Sequence, residues 1–463
     1  MSQINDVKAG LVRLSFKQKI AYAMGDLGCC FSWALVNVFL MYFWTDVAVL
    51  PAASVGTMML ISKAWDAVND PVIGGLADRT NSKWGRFRPW ILFGMWPLLV
   101  LNVLCFTVFP SDSVGIRTAY GFTIYFLLVL AYTCINIPYS SMTAALTLDL
   151  DSRASAASYR MIFGFGSGFI VAQLLLPVVR ATGGGSEATG FFWAAVIFSI
   201  LAVGPFLWCF FGTREIVNAP VEKIRFGTMF KSLKGNTYAW SIVVAWLFIG
   251  LIYATQNAAK MYYFTYFVGN QEVFTTNTFF SFTGNIVGAL SLTLLVKRFH
   301  NKRTLPLIGL SATFITGIIM YFLPVINHNV LFLYHVLTFI GGWGLGVAIA
   351  SMYGINPDVT EYTQYKSKIR VTGFITSFTS FSFKVGLALS TAVVGWVLGA
   401  LGYVAGIAQN PGVLVGINWF MNLVPAFSAL FGIAALLFYK LDKDTYLDIV
   451  NTLGISDHLD AAE

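Results

Sequence analysis

The sequence is poor in charge and poor in the residues that build catalytic and metal sites. Only 11% of its 463 residues are charged, against about 25% in an ordinary soluble domain. The five cysteines form no CxxC pair or metal-ligand spacing, and no GxxxxGK[ST] phosphate loop occurs. The four histidines are scattered, at His300, His328, His335 and His458. These absences argue against a soluble protein, a zinc site and an enzyme.

Apolar residues are abundant instead, at 57% of the chain. They form twelve runs of roughly the length that spans a bilayer, about 20 residues. The runs lie near 18–45, 53–77, 89–109, 118–145, 158–182, 189–212, 238–268, 275–297, 304–324, 330–355, 370–401 and 415–440. We therefore predict an all-α polytopic membrane protein.

A polar stretch divides the twelve runs into six and six. We predict an N-terminal six-helix bundle in 1–212, a cytoplasmic linker in 213–237, a C-terminal bundle in 238–440 and a tail in 441–463. Most of the 29 Lys and Arg lie in the N-terminus, alternate loops and the tail, which predicts that both termini are cytoplasmic. This distribution accounts for the net charge of +8 without nucleic acid. Two such bundles suggest alternating access around a site at the membrane midplane.

The second run carries a cluster of polar side chains. Lys63, Asp66, Asn69 and Asp70 lie within it, and the spacing of the last three puts them on one helix face. Carboxylate and amide oxygens are ligands for small hard cations, and carboxylates inside a bilayer usually mark an ion or substrate path. The alternative is a salt-bridge network with Lys63, although one lysine cannot neutralise both carboxylates.

Inside the predicted spans, basic side chains outnumber acidic ones. The two sets are Lys63, Arg160, Lys260 and Lys384, and Asp26, Asp66 and Asp70. An uncompensated buried charge is costly, so a cationic cavity is completed best by an anionic ligand. Lysine or arginine near a span end can instead extend to the membrane surface. That alternative is open for Arg160 and Lys260 but is difficult for Lys384 in mid-span, and Asp26 has either a functional role or a structural contact between helices.

Three motifs resemble one known family. They are WDAVNDP and DRTNSKWGRFRPW within 60–90, YTCINIPY at 132–139, and PDVTEY at 357–362 followed by Arg370. In this order they resemble the glycoside–pentoside–hexuronide:cation symporters, the melibiose-permease branch of the major facilitator superfamily. The resemblance implies a major facilitator fold, a transporter that functions as a monomer, and no cofactor beyond a coupling cation.

The resemblance also implies a cation site. In the melibiose branch the cation is held by two aspartates and an asparagine of the second helix and a threonine of the fourth. The matching residues are Asp66, Asn69, Asp70 and Thr133, which agree in chemical type. We expect Na⁺ there, although the chemistry alone also permits Li⁺, or H⁺ on a buried aspartate.

The sugar-binding positions depart from the family pattern. The two acidic sugar positions become Cys30 and Asn136, whereas the basic positions remain as Arg160 and Lys384. Further predicted substrate contacts are Lys260, Gln256, Asn257, Trp33 and Tyr353. The pattern favours an anionic glycoside, such as a hexuronide or a sulfosugar. A neutral glycoside or pentoside symporter and a weakly coupled facilitator or exchanger remain alternatives.

Charged residues near the predicted cytoplasmic helix ends suggest a gate. The candidates are Asp78, Arg79, Lys83, Arg86 and Arg88 in the first half, and Asp358, Glu361 and Arg370 in the second. The alternative is a solvated basic loop that serves membrane topology only. A channel would need a continuous polar pore, which an isolated polar cluster does not provide.

Overall fold

The computed structural model describes residues 13–147, 149–216, 233–299, 301–323, 328–367 and 372–441, with positions 445, 448, 449 and 452 of the tail. Twelve long helices make up almost all of this part of the chain. They are α1 (Phe16–Val47), α2 (Ala52–Arg79), α3 (Arg88–Cys105), α4 (Val114–Leu146), α5 (Leu150–Gly183), α6 (Glu187–Gly212), α7 (Thr237–Phe267), α8 (Val273–Arg298), α9 (Thr304–Phe322), α10 (His328–Ser367), α11 (Thr372–Ala400) and α12 (Pro411–Leu437). The predicted all-α fold is confirmed.

Polar residues in the loops cap several of these helices. Ser15 and Gln18 form a capping box at the start of α1, which satisfies backbone N–H groups that lack a partner within the helix. At the start of α5, the Asp149 carboxylate accepts a hydrogen bond of 2.9 Å from the Ser152 backbone. Hydrogen bonds from Ser152 lower the pKa of Asp149. The starts of these two helices are therefore determined by local sequence.

Ten of the helices are long and apolar enough to cross a membrane. The two others, α2 and α8, are as long but are not among the ten. In α2 the reason is visible in the sequence, because Lys63, Asp66 and Asp70 interrupt the apolar run. The prediction of twelve helices is thus confirmed, and the polar residues predicted inside the second apolar run lower the hydropathy of α2.

Helix α10 is longer than the apolar run that predicted it. It continues from the run 330–355 through Pro357 to Ser367. Proline is tolerated in membrane helices, where neighbouring groups satisfy the freed backbone carbonyl. Asp358 and Glu361 therefore lie within a helix rather than in a loop. Arg370 lies outside the described residues.

The chain divides into two compact units. The first consists of Met1–Val221 with Tyr403–Ile407, and the second of Glu222–Gly402 with Ala408–Glu463. Most of the predicted linker, 217–232, lies outside the described residues, so the exact domain boundaries stay a prediction.

Each unit is held together by closely packed helices. In the first unit α1 packs against α5 and α6, and α4 packs against α2 and α3. In the second, α7 packs against α11 and α12, and α10 packs against α8 and α9. The contact of α8 with α10 is so close that a Cβ at Gly288 would lie 2.2 Å from the Trp343 carbonyl oxygen. Small residues allow this backbone approach between membrane helices.

Candidate functional site

The predicted cation ligands from two helices meet in the first unit. Thr133 Oγ1 of α4 donates a hydrogen bond of 2.6 Å to Asp66 Oδ1 of α2. Asp66, Asn69 and Thr133 are 8%, 4% and 1% exposed, and Asp70 is half-buried on the same face of α2. The structure thus brings together oxygen-bearing side chains that lie far apart in the sequence.

The cluster also contains a buried hydrogen-bond donor. Asn69 Nδ2 is buried and has no hydrogen-bond partner among the described residues, a situation that costs about 1–3 kcal/mol when no ligand compensates it. The ammonium of Lys63 interacts electrostatically with Asp66. Two carboxylates, an amide and a hydroxyl are a donor set that suits a small hard cation. The assignment of this cluster to cation binding stays a prediction.

Arg160 of α5 is paired within the first unit. Its Nε lies 2.6 Å from Asp26 Oδ2 and its Nη2 lies 3.2 Å from Asp26 Oδ1. The guanidinium also stacks over the ring of Tyr139 at 4.4 Å and donates to Tyr22 Oη at 3.1 Å. The pair is about one-fifth exposed. Asp26, whose role the sequence left open, therefore neutralises one of the predicted substrate-binding cations.

A strip of polar and aromatic side chains extends from this pair along α4. Ser140 Oγ lies 3.4 Å from Arg160 Nη2 and donates to Asn136 Oδ1 at 3.2 Å. Asn136 Nδ2 donates to Tyr132 Oη at 2.6 Å, and the Tyr132 ring stacks on Trp33 with 4.1 Å between centroids. The strip offers hydroxyl and amide groups, which can form hydrogen bonds with sugar hydroxyls, and aromatic rings, which can pack against a sugar ring.

The other predicted substrate residues are distributed over both units. Cys30 is half-buried on α1. In the second unit, Asn257 donates to the Tyr253 carbonyl at 2.9 Å, Tyr353 is 51% exposed, and Gln256 and Lys384 are half-buried. Lys260 differs from these, because it is only 5% exposed. Their contribution to substrate binding stays a prediction.

At the start of α3, the predicted gate loop binds a carboxylate that the sequence analysis missed. Glu215 accepts hydrogen bonds from the backbone N–H groups of Arg86, Phe87 and Arg88 at 2.7, 2.8 and 2.9 Å. Such a helix N-terminus is a natural anion site. The Arg88 guanidinium donates in turn to the Phe210 carbonyl of α6. The end of α6 therefore holds the gate loop, whereas Asp78 and Arg79 are exposed in the last turn of α2.

The second unit contains a comparable ion pair. The side chain of Asp358 of α10 is 6% exposed. Lys302 Nζ donates hydrogen bonds to its Oδ1 and Oδ2 atoms at 2.9 and 2.8 Å. Glu361 Oε2 is buried without a hydrogen-bond partner among the described residues. Lys302 and Glu215 both lie next to the polar ends of apolar runs. Their charge was visible in the sequence, but no local pattern indicated their partners.

Gly85 makes the contact with Glu215 possible, and this predicts a coupling between the two positions. Gly85 has φ +108°, and a Cβ there would lie 2.6 Å from Glu215 Oε1. We expect Gly85→Ala to destabilise the purified protein by about 1–3 kcal/mol and Glu215→Ala by about 2 kcal/mol. The double variant should lose less than the sum, because removal of the carboxylate removes the collision.

Thermal unfolding of the four proteins measures this coupling. Glu187→Ala is a matched control, since it removes a glutamate from the first turn of α6, away from the gate loop. Strict additivity of the two changes would mean that Glu215 does not hold this loop.

Two units of long apolar helices, with acidic side chains inside one of these helices, are typical of a membrane transporter. The chain belongs to the MFS/sugar transport protein family, whose profile matches residues 21–443. It is 32% identical to the isoprimeverose transporter of Lactiplantibacillus pentosus over 450 residues, which are 92% of this chain and 89% of that protein. It is 29% identical to the glucuronide carrier protein homolog of Escherichia coli (strain K12) over 445 residues, 95% of each.

A solved structure supports the fold independently. The nucleoside transporter NupG superimposes with a TM-score of 0.63 over 92% of this chain and 100% of NupG. At 12% identity, this likeness concerns the fold alone. The predicted family, the major facilitator fold and the absence of an enzymatic role are therefore confirmed, and the chain is a multi-pass sugar transporter of the membrane.

Proposed function

We propose that this protein is a secondary active symporter that moves a sugar or glycoside together with Na⁺ or H⁺. Li⁺ is an alternative coupling ion. The two units are proposed to alternate in opening the substrate site to either side of a bacterial inner membrane, with both termini in the cytoplasm and the monomer as the working unit. The observation that carries the proposal is the hydrogen bond between Thr133 and Asp66, which joins α4 to the polar face of α2.

The proposed coupling has a simple physical basis. A cation between Asp66, Asn69, Asp70 and Thr133 would compensate the two carboxylates, with the Asn69 side-chain oxygen and the Thr133 hydroxyl as neutral ligands. Because the ligands belong to two helices, the occupied cluster would hold α2 and α4 in one arrangement. A ligand shifts a conformational equilibrium by its differential affinity for the two states, and this is how cation binding would favour the form that binds substrate.

The proposed substrate is an anionic sugar or glycoside, with Lys384 and Arg160 as contacts and Lys260 as a third. The name of one relative supports this class, because a glucuronide carries a carboxylate. Since Asp26 already neutralises Arg160, the excess of positive charge rests with the lysines. The name of another relative, the isoprimeverose transporter, supports a neutral glycoside as the alternative substrate class.

Uptake into membrane vesicles under imposed gradients tests the proposal. A symporter should accumulate substrate above the outside concentration when a Na⁺ or a pH gradient is applied, and it should only equilibrate substrate when neither is present. A weakly coupled facilitator or exchanger would give the same final level under all three conditions. That result would contradict the proposed coupling and leave the transporter family unaffected.

A further inference from the structure

Lys260 is a buried cation without a counter-ion in the described part of the second unit. It lies in the last turn of the α-helical part of α7, Thr237–Tyr262, before the π-helical end of that helix, Tyr263–Phe267. The residue is 5% exposed. The described acidic residues of this unit are Glu272, Asp358, Glu361 and Asp448. None of them forms an ion pair with Lys260. Since an unpaired buried ammonium costs several kcal/mol, a ligand that brings a negative charge next to Lys260 would stabilise it.

The neighbour of Lys260 is a histidine with a defined hydrogen-bonding pattern. His335 of α10 is 6% exposed. The two helices, α7 and α10, meet here, because Tyr263, one helical turn after Lys260, stacks on Tyr334, the residue before His335, with 5.5 Å between ring centroids, and Lys260 and His335 are close enough to interact electrostatically. Its ring stacks on Phe280 of α8, with 5.4 Å between centroids and 8° between planes. Asn277 Nδ2 lies 3.2 Å from His335 Nδ1. With the Asn277 amide nitrogen as the donor, His335 Nδ1 is the acceptor, and a neutral imidazole in this arrangement carries its proton on Nε2.

Asn277 provides an unused acceptor at the same place. It is 0% exposed, and its Nδ2 also donates to Thr338 Oγ1 at 2.9 Å. Its Oδ1, in contrast, is buried without a hydrogen-bond partner among the described residues. An unsatisfied buried acceptor is costly. Two donors, Lys260 Nζ and His335 Nε2–H, thus lie in the same buried region of α7, α8 and α10 as an acceptor that has no donor among the described residues.

We propose that Lys260, His335 and Asn277 form the part of the second unit that binds the acid group of a sugar acid. The ammonium and the imidazole N–H donate to carboxylate or sulfonate oxygens, and Asn277 Oδ1 accepts a hydrogen bond from an adjacent sugar hydroxyl. The inference rests on the proposed sugar transport. It assigns the selection of charge to this buried cluster rather than to Arg160, whose charge Asp26 already balances.

Thermal unfolding of the purified full-length protein tests the assignment, with sodium glucuronate and glucose as probes at constant Na⁺ and pH. We expect glucuronate to stabilise the wild-type protein more than glucose does. Lys260→Met should raise the Kd for glucuronate about tenfold or more, which corresponds to a loss of about 1.4 kcal/mol of binding free energy. It should leave glucose binding unchanged. Lys234→Met is the matched control, since Lys234 is exposed just before α7, and it should bind glucuronate as the wild type does.

A second variant keeps the test decisive if Lys260→Met does not fold. Asn277→Asp places a carboxylate in the cluster and supplies the missing counter-ion. We expect this protein to be more heat-stable than the wild type without ligand and to lose its preference for glucuronate. An Asn277→Asp protein that is no more stable and still prefers glucuronate would overturn the inference.

Two further outcomes separate this inference from the proposed function. Unchanged glucuronate binding by Lys260→Met, together with lost binding by Lys384→Met, would overturn the role of the Lys260 cluster and leave an anionic substrate. A wild-type protein that binds no sugar acid but accumulates a neutral glycoside with a cation would overturn the anion site and leave the symport itself intact.

Discussion

Replacing Asp66 or Asp70 with cysteine is expected to abolish cation-driven accumulation of substrate, while some downhill exchange continues. The two carboxylates supply the negative charge of the predicted cation cluster, whereas the predicted substrate contacts lie elsewhere. Without cation binding, the gradient has no means of acting on the conformational equilibrium. Uptake in vesicles under a Na⁺ or a pH gradient, followed by counterflow of labelled substrate, measures both activities.

The same variants should lose stabilisation by the cation. A ligand present at about 100 times its Kd stabilises the native state by about 2.7 kcal/mol, and this increment should disappear from thermal unfolding. Asp112→Cys is the matched control, because Asp112 is an exposed loop carboxylate. If Asp66→Cys and Asp70→Cys both still concentrate substrate against its gradient, the cluster is not the coupling site.

Breaking the pair of Arg160 and Asp26 should cost more stability than any surface change. Removal of one partner leaves the other charge uncompensated in a mostly buried place, and such losses reach about 3 kcal/mol or more. We expect both Arg160→Met and Asp26→Asn to be strongly destabilised. The double variant should recover much of the stability, since neither charge remains to be compensated. Thermal unfolding of the four proteins gives the coupling energy.

Transport by the double variant then distinguishes two roles of Arg160. If Arg160 serves only to join α5 to α1, transport should return together with stability. If it also contacts the substrate, the double variant should be stable but should transport poorly. Equal stability of the wild type and both single variants would mean that the ion pair of 2.6 Å contributes nothing to the fold.

Several features of the fold and the candidate site were predictable because they depend on residues close together in the sequence. The helices follow from apolar runs and capping residues, and the common face of Asp66, Asn69 and Asp70 follows from helical periodicity. The length of α10 was misjudged because hydropathy ends near 355 while the backbone hydrogen bonds continue to Ser367. Helical structure does not require an apolar sequence, so composition alone placed that boundary too early.

The pairing of charges was decided by tertiary structure. Asp26 and Arg160 are 134 positions apart, and Glu215 is 127 to 129 positions from the amides that it binds. Which charges meet depends on the rotation and depth of each packed helix, and the local sequence does not specify these.

By itself, therefore, the sequence determined the class of this protein, its twelve helices, its family and the face of α2 that carries the carboxylates. Only the tertiary structure decided that Arg160 is neutralised by Asp26 while Lys260 lies buried near His335 without a counter-ion among the described residues. The physical reason is that electrostatic compensation acts through space, between side chains that distant helices bring together, and a count of charges along the chain treats all of them alike.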